Sequence, residues 1–171
     1  VNRSLLFGPD GAVVADYDKI HMFDADVGDG KSYQESASFA AGQSPVIAHV
    51  DNVPCGLTIC YDVRFAYLYR QLALDGAQIL FVPAAFTALS GKAHWHVLLR
   101  ARAIETGCYI VAPAQSGTHA DGRKTYGHSL IVNPWGEIIA KAKSTPKIMN
   151  TKINLAEVLD ARKKIPAILN D

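Results

Sequence analysis

The sequence has no apolar run near the ~18–20 residues that a membrane-spanning helix needs. It also has no strong charge of one sign: 17 basic residues against 16 acidic ones leave a formal net charge of +1. Such a balance creates no large field to attract nucleic acid or anionic lipid. We therefore expect neither a nucleic acid nor a membrane as a partner.

Cysteine is scarce. The three residues Cys55, Cys60 and Cys108 form an odd number, and none has the spacing of a metal knuckle. Free thiols in a reducing compartment are the simplest account of this usage. We expect a cytoplasmic protein without a metal site.

Size and composition place the chain among ordinary globular domains. It has 171 residues, of which 49% are hydrophobic and 19% charged, enough to bury a sizeable core. We predict one domain over residues 1–171. Because the chain begins with Val1 and reads as a strand at once, we expect it to be cut from something longer.

Short β-rich runs come in pairs joined by turn signals. The predicted pairs are residues 4–7 with 12–17, 46–50 with 53–59, and 126–132 with 137–141, and single strands are predicted at 78–82, 109–113 and 147–153. Residues 19–42 show no period and are predicted as a packed loop. Strand–helix–strand units alternate with the hairpins, which predicts an α/β fold with two mixed sheets packed together and helices outside.

Three helices are predicted from apolar spacing and end signals. The first begins near Asp62 and stops at Gly76, and the second runs from about Ala93 to Thr106. The third is capped by Asn154, with Glu157 in the capping-box position.

Cys60 is the residue on which a chemical function can be based. It follows the apolar strand 53–59 and precedes the first predicted helix, where free N–H groups and the helix dipole would stabilise a thiolate. The same N–H groups could hold a developing oxyanion. The alternative is a buried small hydrophobe, the class to which we assign Cys55 and Cys108.

Several long blocks resemble the nitrilase superfamily of carbon–nitrogen hydrolases. Residues 56–65 (GLTICYDVRF) are similar to its nucleophile segment and residues 18–24 (DKIHMFD) to its lysine segment. Residues 81–87, 94–105 and 126–136 match later blocks in order and spacing. The resemblance covers essentially the whole chain and is nearest to the deaminated glutathione amidase and ω-amidase group. It implies a nitrilase-like α-β-β-α sandwich, here N-terminally incomplete.

The resemblance also implies a role for individual residues. Cys60 falls on the nucleophile and Lys19 on the catalytic lysine, whose ammonium would favour the thiolate and the oxyanion. Tyr61 falls where the family provides a backbone N–H to the oxyanion hole. Glu35 aligns with a second glutamate that orients the lysine or positions the substrate.

An amidase of this family would form a thioester on Cys60 and then hydrolyse it, without a metal or organic cofactor. The resemblance implies a small carboxylate-bearing amide of the deaminated glutathione type as substrate, with α-ketoglutaramate, the ω-amidase substrate, as the alternative. Arg64 is the candidate partner of the substrate carboxylate, and Phe86 and Thr87 are candidate pocket residues. A homodimer or higher homo-oligomer is expected.

The family's general-base glutamate matches nothing in this sequence. The family triad is Glu–Lys–Cys, and its glutamate belongs to a segment upstream of Val1, so we expect this chain alone to be an inactive catalyst. A fragment that serves as an assembly partner, and a papain-like hydrolase in which His128 activates Cys60, are the competing hypotheses. Tyr67 and His96 stand where relatives often carry acidic residues.

Overall fold

The computed structural model describes residues 1–170. Its strands are β1 (Arg3–Phe7), β2 (Val13–Asp18), β3 (Asp24–Asp26), β4 (Ser32–Gln34), β5 (Val46–Val50), β6 (Val53–Leu57), β7 (Ile79–Phe81), β8 (Tyr109–Ala112), β9 (Ser116–Thr118), β10 (Lys124–Tyr126), β11 (Leu130–Val132) and β12 (Ile138–Lys141). Its helices are α1 (Ala66–Leu74), α2 (Ala88–Thr106) and α3 (Ala156–Lys164). Three 3₁₀ segments cover Glu35–Ala37, Cys60–Arg64 and Ala167–Leu169.

A six-stranded mixed sheet organises the chain, in the order β12-β11-β8-β7-β6-β5. The central pairs β6–β7 and β7–β8 are parallel and the outer pairs are antiparallel. Parallel neighbours need a crossover, and α1 and α2 supply the two crossovers here. The hairpins β1–β2, β3–β4 and β9–β10 form separate two-stranded sheets. The α/β class with a mixed sheet is therefore confirmed.

The two faces of this sheet are covered differently. On one face, α1 and α2 pack onto the sheet through fully buried side chains that include Leu72, Leu80 and Leu99. On the other face, Tyr17 of β2 packs beside Leu57 of β6 in a second cluster. The hairpin β1–β2 is thereby held against the sheet near the end of β6. Cys60 follows that end by three residues.

The predicted helix starts were wrong in two places. After Cys60 the chain first makes a 3₁₀ segment, and α1 begins only at Ala66 instead of near Asp62. The Asp62 carboxylate accepts the Ile59 N–H at 2.9 Å, which favours a tight local turn over a regular helix. Helix α2 begins at Ala88 rather than near Ala93 and ends at Gly107, which is left-handed with φ +62°.

The predicted strands also need correction. Residues 147–153 are largely exposed and pair with no strand among residues 1–170, so their backbone groups lack the ladder that a strand requires. Conversely, the loop 19–42 contains the hairpin β3–β4, which its mixed composition concealed. Asn154 does accept the N–H of Ala156, but the Glu157 carboxylate accepts the hydroxyl of Tyr109 instead of forming a capping box.

Within residues 1–170, α2 is the longest helix at 19 residues. Neither it nor any other helix there combines the length and apolar character that a bilayer crossing requires.

Gly56 provides a test of the packing between the sheet and α1. A Cβ at this position would lie 2.6 Å from Leu80 Cδ2 and 3.1 Å from Leu72 Cδ1. We expect Gly56→Ala to lower the free energy of unfolding by about 1–3 kcal/mol through overpacking, measured by urea denaturation. In a Leu80→Ala background the penalty should be much smaller, because the nearest atom is gone. Equal penalties in both backgrounds would contradict this packing.

Candidate active site

The turn that carries Cys60 is held in an unusual conformation. Cys60 has φ +49°, in the left-handed region that non-glycine residues rarely adopt. Its N–H donates to Pro83 O at 2.9 Å, and the Asp62 N–H donates to Ile59 O at 3.1 Å. Tyr61 lies between these two donors in sequence. A non-glycine residue at positive φ is strained, and such strain often marks a functional turn.

The buried carboxylate of Asp62 fixes this turn to the chain segment that follows β2. It is fully buried and accepts the Tyr17 hydroxyl at 2.7 Å and the Ile59 N–H at 2.9 Å. The backbone N–H of His21 is 3.2 Å away and its Nδ1 is 2.7 Å away. One side chain thus links the segment after β2 to the segment after β6.

Lys19 lies between Tyr17 and His21 and is 2% exposed. Its backbone is fixed on both sides, since its N–H donates to Asn2 O at 2.9 Å and its carbonyl accepts the Gly42 N–H at 2.8 Å. Its ammonium forms a short ion pair with Glu35. The Glu35 carboxylate also accepts the Phe23 N–H at 2.6 Å and the Asn2 amide at 2.9 Å. Glu35 therefore fixes the Lys19 ammonium, and the Phe23 N–H and the Asn2 amide fix Glu35.

A cavity of about 960 Å³ opens onto these groups. It brings together six of the seven predicted site residues, namely Lys19, Glu35, Cys60, Tyr61, Phe86 and Thr87. Phe86 and Thr87 belong to the loop between β7 and α2, and the Thr87 hydroxyl is hydrogen-bonded to that of Ser90 at 2.6 Å.

Arg64 is the predicted site residue that the structure does not bring into the cavity. Its guanidinium carbon lies 5.8 Å from the Tyr61 ring centroid and 5.2 Å from that of Phe86. Its Nη atoms are 3.3 Å from His94 Nδ1. Arg64 therefore supports two lining aromatic rings without itself belonging to the lining.

The environment of Cys60 acts on its thiol in two directions. Burial raises the pKa of the Cys60 thiol, and the nearby Lys19 ammonium offsets part of that rise. The stabilisation that we expected from a helix N-terminus does not apply, because α1 begins six residues after Cys60 and the intervening turn is 3₁₀. The raised pKa favours the protonated thiol, so that forming the thiolate needs a proton acceptor.

The Glu35 carboxylate is kept ionised. Burial, the largest single influence, would raise its pKa, but hydrogen bonds from Lys19, Asn2 and the Phe23 N–H together hold the pKa of Glu35 below its ordinary value. A carboxylate so stabilised is a poor acceptor for a thiol proton.

His128 does not lie where a papain-like mechanism needs it. No histidine is among the cavity-lining residues within 1–170. The His128 ring stacks on that of Tyr126 at 4.0 Å, and its Nδ1 is 2.7 Å from Tyr126 O. Within the same part of the chain, no group of three His, Cys, Asp or Glu side chains could hold a metal ion.

Sequence reasoning missed several residues that build this site. Asp62 was visible in CYDVR but read only as a helix start. Tyr67 was noted as a departure from relatives, and its hydroxyl is hydrogen-bonded to His21 Nε2. His96, the other departure, packs edge-on against Tyr126 and His128, and its Nε2 is buried without a partner in the described chain.

Known proteins resemble this chain over nearly its whole length. Residues 1–163 match the family model for carbon–nitrogen hydrolases. Deaminated glutathione amidase of Synechocystis is 49% identical over 169 residues, which are 98% of this chain and 62% of that protein. The Homo sapiens protein of the same name is 43% identical over 168 residues, 96% of this chain and 51% of that one. The chain thus spans about half to two thirds of these curated relatives.

Solved structures that share the fold include the following two. The C. elegans NitFhit protein superposes with a TM-score of 0.92 at 39% identity, covering 99% of this chain and 42% of that one. Saccharomyces cerevisiae Nit3, a member of the nitrilase superfamily, superposes with a TM-score of 0.85 at 28% identity, covering 96% and 57%. The nitrilase fold inferred from the sequence is therefore confirmed.

The charge of Lys19 should affect the pH dependence of the rate at which Cys60 is alkylated. We expect Lys19→Met to raise the pKa of the Cys60 thiol further, because the cation that favours the thiolate is removed. Iodoacetamide alkylation of Cys60, followed by peptide mass spectrometry between pH 7 and 10, would report this as a shift of the rate profile to higher pH. Lys124→Met removes an exposed lysine outside the cavity and should leave the profile unchanged. Coincident profiles for all three proteins would exclude a Lys19 effect.

The Lys19–Glu35 pair should also give a pH-dependent stability. Because folding lowers the pKa of Glu35, its contribution is complete above the unfolded value of about 4.3 and is lost as the pH falls through the folded value. Glu35→Gln should lower the free energy of unfolding by about 2–4 kcal/mol at pH 7, by leaving Lys19 buried without its counter-ion, and by less below about pH 4.

The matched control for this change is Asp160→Asn. It breaks the ion pair with Lys164, whose two side chains are about 60% exposed, and should change stability by less than about 0.5 kcal/mol. Equal effects of the two substitutions in urea denaturation at pH 7 would refute a special role for the buried pair.

Proposed function

The chain belongs to the carbon–nitrogen hydrolase family, and from this premise we propose that it carries the nucleophile of an amidase that acts through a thioester on Cys60. One observation supports this above the others. Cys60 stands at a strained turn in a cavity that also holds the ammonium of Lys19, and a carboxylate fixes that lysine. A nucleophile beside a preorganised cation is what acyl transfer requires.

The reaction begins with the Cys60 thiolate attacking the amide carbon. A C–S bond forms and the carbonyl π electrons move to the oxygen, where the Tyr61 N–H and the Lys19 ammonium stabilise the negative charge. Collapse of this intermediate breaks the C–N bond, and the nitrogen leaves as ammonia or an amine with the proton that the Cys60 thiol gave up. Water then attacks the thioester carbon and the C–S bond breaks. One proton of the water returns to the sulfur and the other passes to solvent, so that a carboxylate product and the Cys60 thiol remain.

Glu35 serves in this scheme as the partner that positions Lys19 and not as the general base. Its hydrogen bonds keep it ionised on the lysine, and it is the sole carboxylate that lines the cavity within residues 1–170. The described residues therefore supply nucleophile and cation but no strong proton acceptor. We expect turnover by this chain alone to be slow or absent.

For the substrate, we propose a small amide that carries a carboxylate, of the type named by the relatives that are deaminated glutathione amidases. The cavity volume suits such a molecule, and Phe86 and Thr87 would contact it. The ω-amidase substrate α-ketoglutaramate, shorter but of the same chemistry, is the second candidate. A cytoplasmic homodimer remains part of the proposal.

The first test is acylation of Cys60. Incubation with short ω-amides bearing a carboxylate, followed by acid quenching, should give a Cys60 peptide heavier by the acyl group, with ammonia released in equal amount. Cys60→Ala should abolish both signals, whereas Cys108→Ala, which changes a buried thiol remote from the cavity, should retain them. Ammonia release that survives Cys60→Ala would sink the thioester mechanism.

A further inference from the structure

Among residues 1–170, three cationic side chains line the cavity that contains Cys60. Two of them are paired with a carboxylate. Lys19 is paired with Glu35. Arg3 donates to both carboxylate oxygens of Asp18, at 2.7 and 2.8 Å. Each of these two cations therefore already has a counter-charge within the chain.

Arg123 is the third cation and differs from the others. Its guanidinium has one charged neighbour in the described chain, Asp121, at 3.7 Å from Nε. That separation is too long for a hydrogen bond, and Nε is buried with no hydrogen-bond partner. The Asp121 carboxylate is 62% exposed and accepts the backbone N–H of Arg123 instead, at 2.9 Å. The guanidinium of Arg123 therefore has an N–H donor without a partner, and the side chain lines the cavity.

The hairpin β9–β10 holds Arg123 in this position. The tip of the hairpin is closed by the His119 N–H donating to Arg123 O at 2.8 Å. Its return strand is tied to the pocket loop through the Tyr126 N–H, which donates to Phe86 O at 2.9 Å, and through the bridge between Thr87 and Thr125. The loop that holds Phe86 and Thr87 therefore also fixes the strand that begins next to Arg123.

We propose that Arg123 binds the carboxylate of the substrate and is the residue that selects amides bearing one. Guanidinium and carboxylate match in a planar, two-bond geometry, and a donor buried without a partner gains most from an acceptor brought by a ligand. The inference rests on the proposed amidase function and adds which residue reads the acid group. Arg64 is not among the residues that line the cavity, and its guanidinium packs against the rings of Tyr61 and Phe86 instead.

Binding measured on this chain tests the proposal without requiring turnover. The probes are succinamate, glutaramate and adipamate, each beside its neutral diamide, and the readout is protection of Cys60 from iodoacetamide. We expect at least one acid to protect at a concentration about tenfold or more below that of its diamide, since a charge-assisted pair is the difference between them. Arg123→Gln should remove this preference while leaving diamide protection within about twofold, and Arg123→Lys should retain part of it.

Lys124→Gln is the matched control. It removes the same charge from the next residue, which is exposed and outside the cavity lining, and should keep the full preference. An acid preference that survives Arg123→Gln, or its absence from the unaltered chain, would overturn the role of Arg123 while leaving the amidase proposal standing. Failure of every amide to protect Cys60 would overturn the amidase proposal itself, and the role of Arg123 with it.

Discussion

The site depends on the buried carboxylate of Asp62. Two segments that are 41 residues apart in sequence are joined by the hydrogen bonds between His21 and the carboxylate of Asp62. Its bond to the Ile59 N–H shapes the turn at Cys60, and its bond to Tyr17 anchors the strand that leads to Lys19. An ionised group without water is unfavourable unless its acceptor sites are filled, and here they are filled by the groups that must be brought together. The geometry of the nucleophile and its cation thus follows from satisfying one charge.

Lys19 and Glu35 extend the same principle into the cavity. An ammonium buried without a counter-ion is strongly unfavourable, and Lys19 is 2% exposed. Glu35 supplies the counter-charge, and it is in turn bound by Asn2 and the Phe23 N–H. The positive charge is therefore fixed before any substrate enters, so that little reorganisation is needed when an oxyanion forms. This order of events distinguishes a preorganised site from one assembled by its ligand.

Turn residues and apolar spacing predicted the elements that depend on neighbours in sequence. The β1–β2 and β5–β6 hairpins were foreseen from turn residues and alternating runs, and α2 and its end at Gly107 from apolar spacing. Elements that depend on tertiary contacts were predicted wrongly. Residues 147–153 have strand composition but pair with no strand among residues 1–170. The turn after Cys60 is shaped by the bond from the Ile59 N–H to the Asp62 carboxylate, where a helix was predicted. The family resemblance singled out Lys19 and Cys60, and both line one cavity. Arg123 could not be foreseen, because no local pattern indicates which surface arginine a hairpin turns toward a cavity.

The raised pKa of the Cys60 thiol and the fixed charge of Glu35 carry a joint consequence. A thiol kept protonated by burial is protected from adventitious oxidation and alkylation, since the thiolate is the reactive form. The same burial means that attack on an amide must be coupled to proton removal, and a carboxylate held ionised by Lys19 cannot easily perform that removal. Nucleophile, cation and proton acceptor are thus three separate requirements. The cavity lining among residues 1–170 holds a thiol and an ammonium that fit the first two. Its carboxylate, Glu35, is held on Lys19, so proton acceptance is the requirement that this lining meets least.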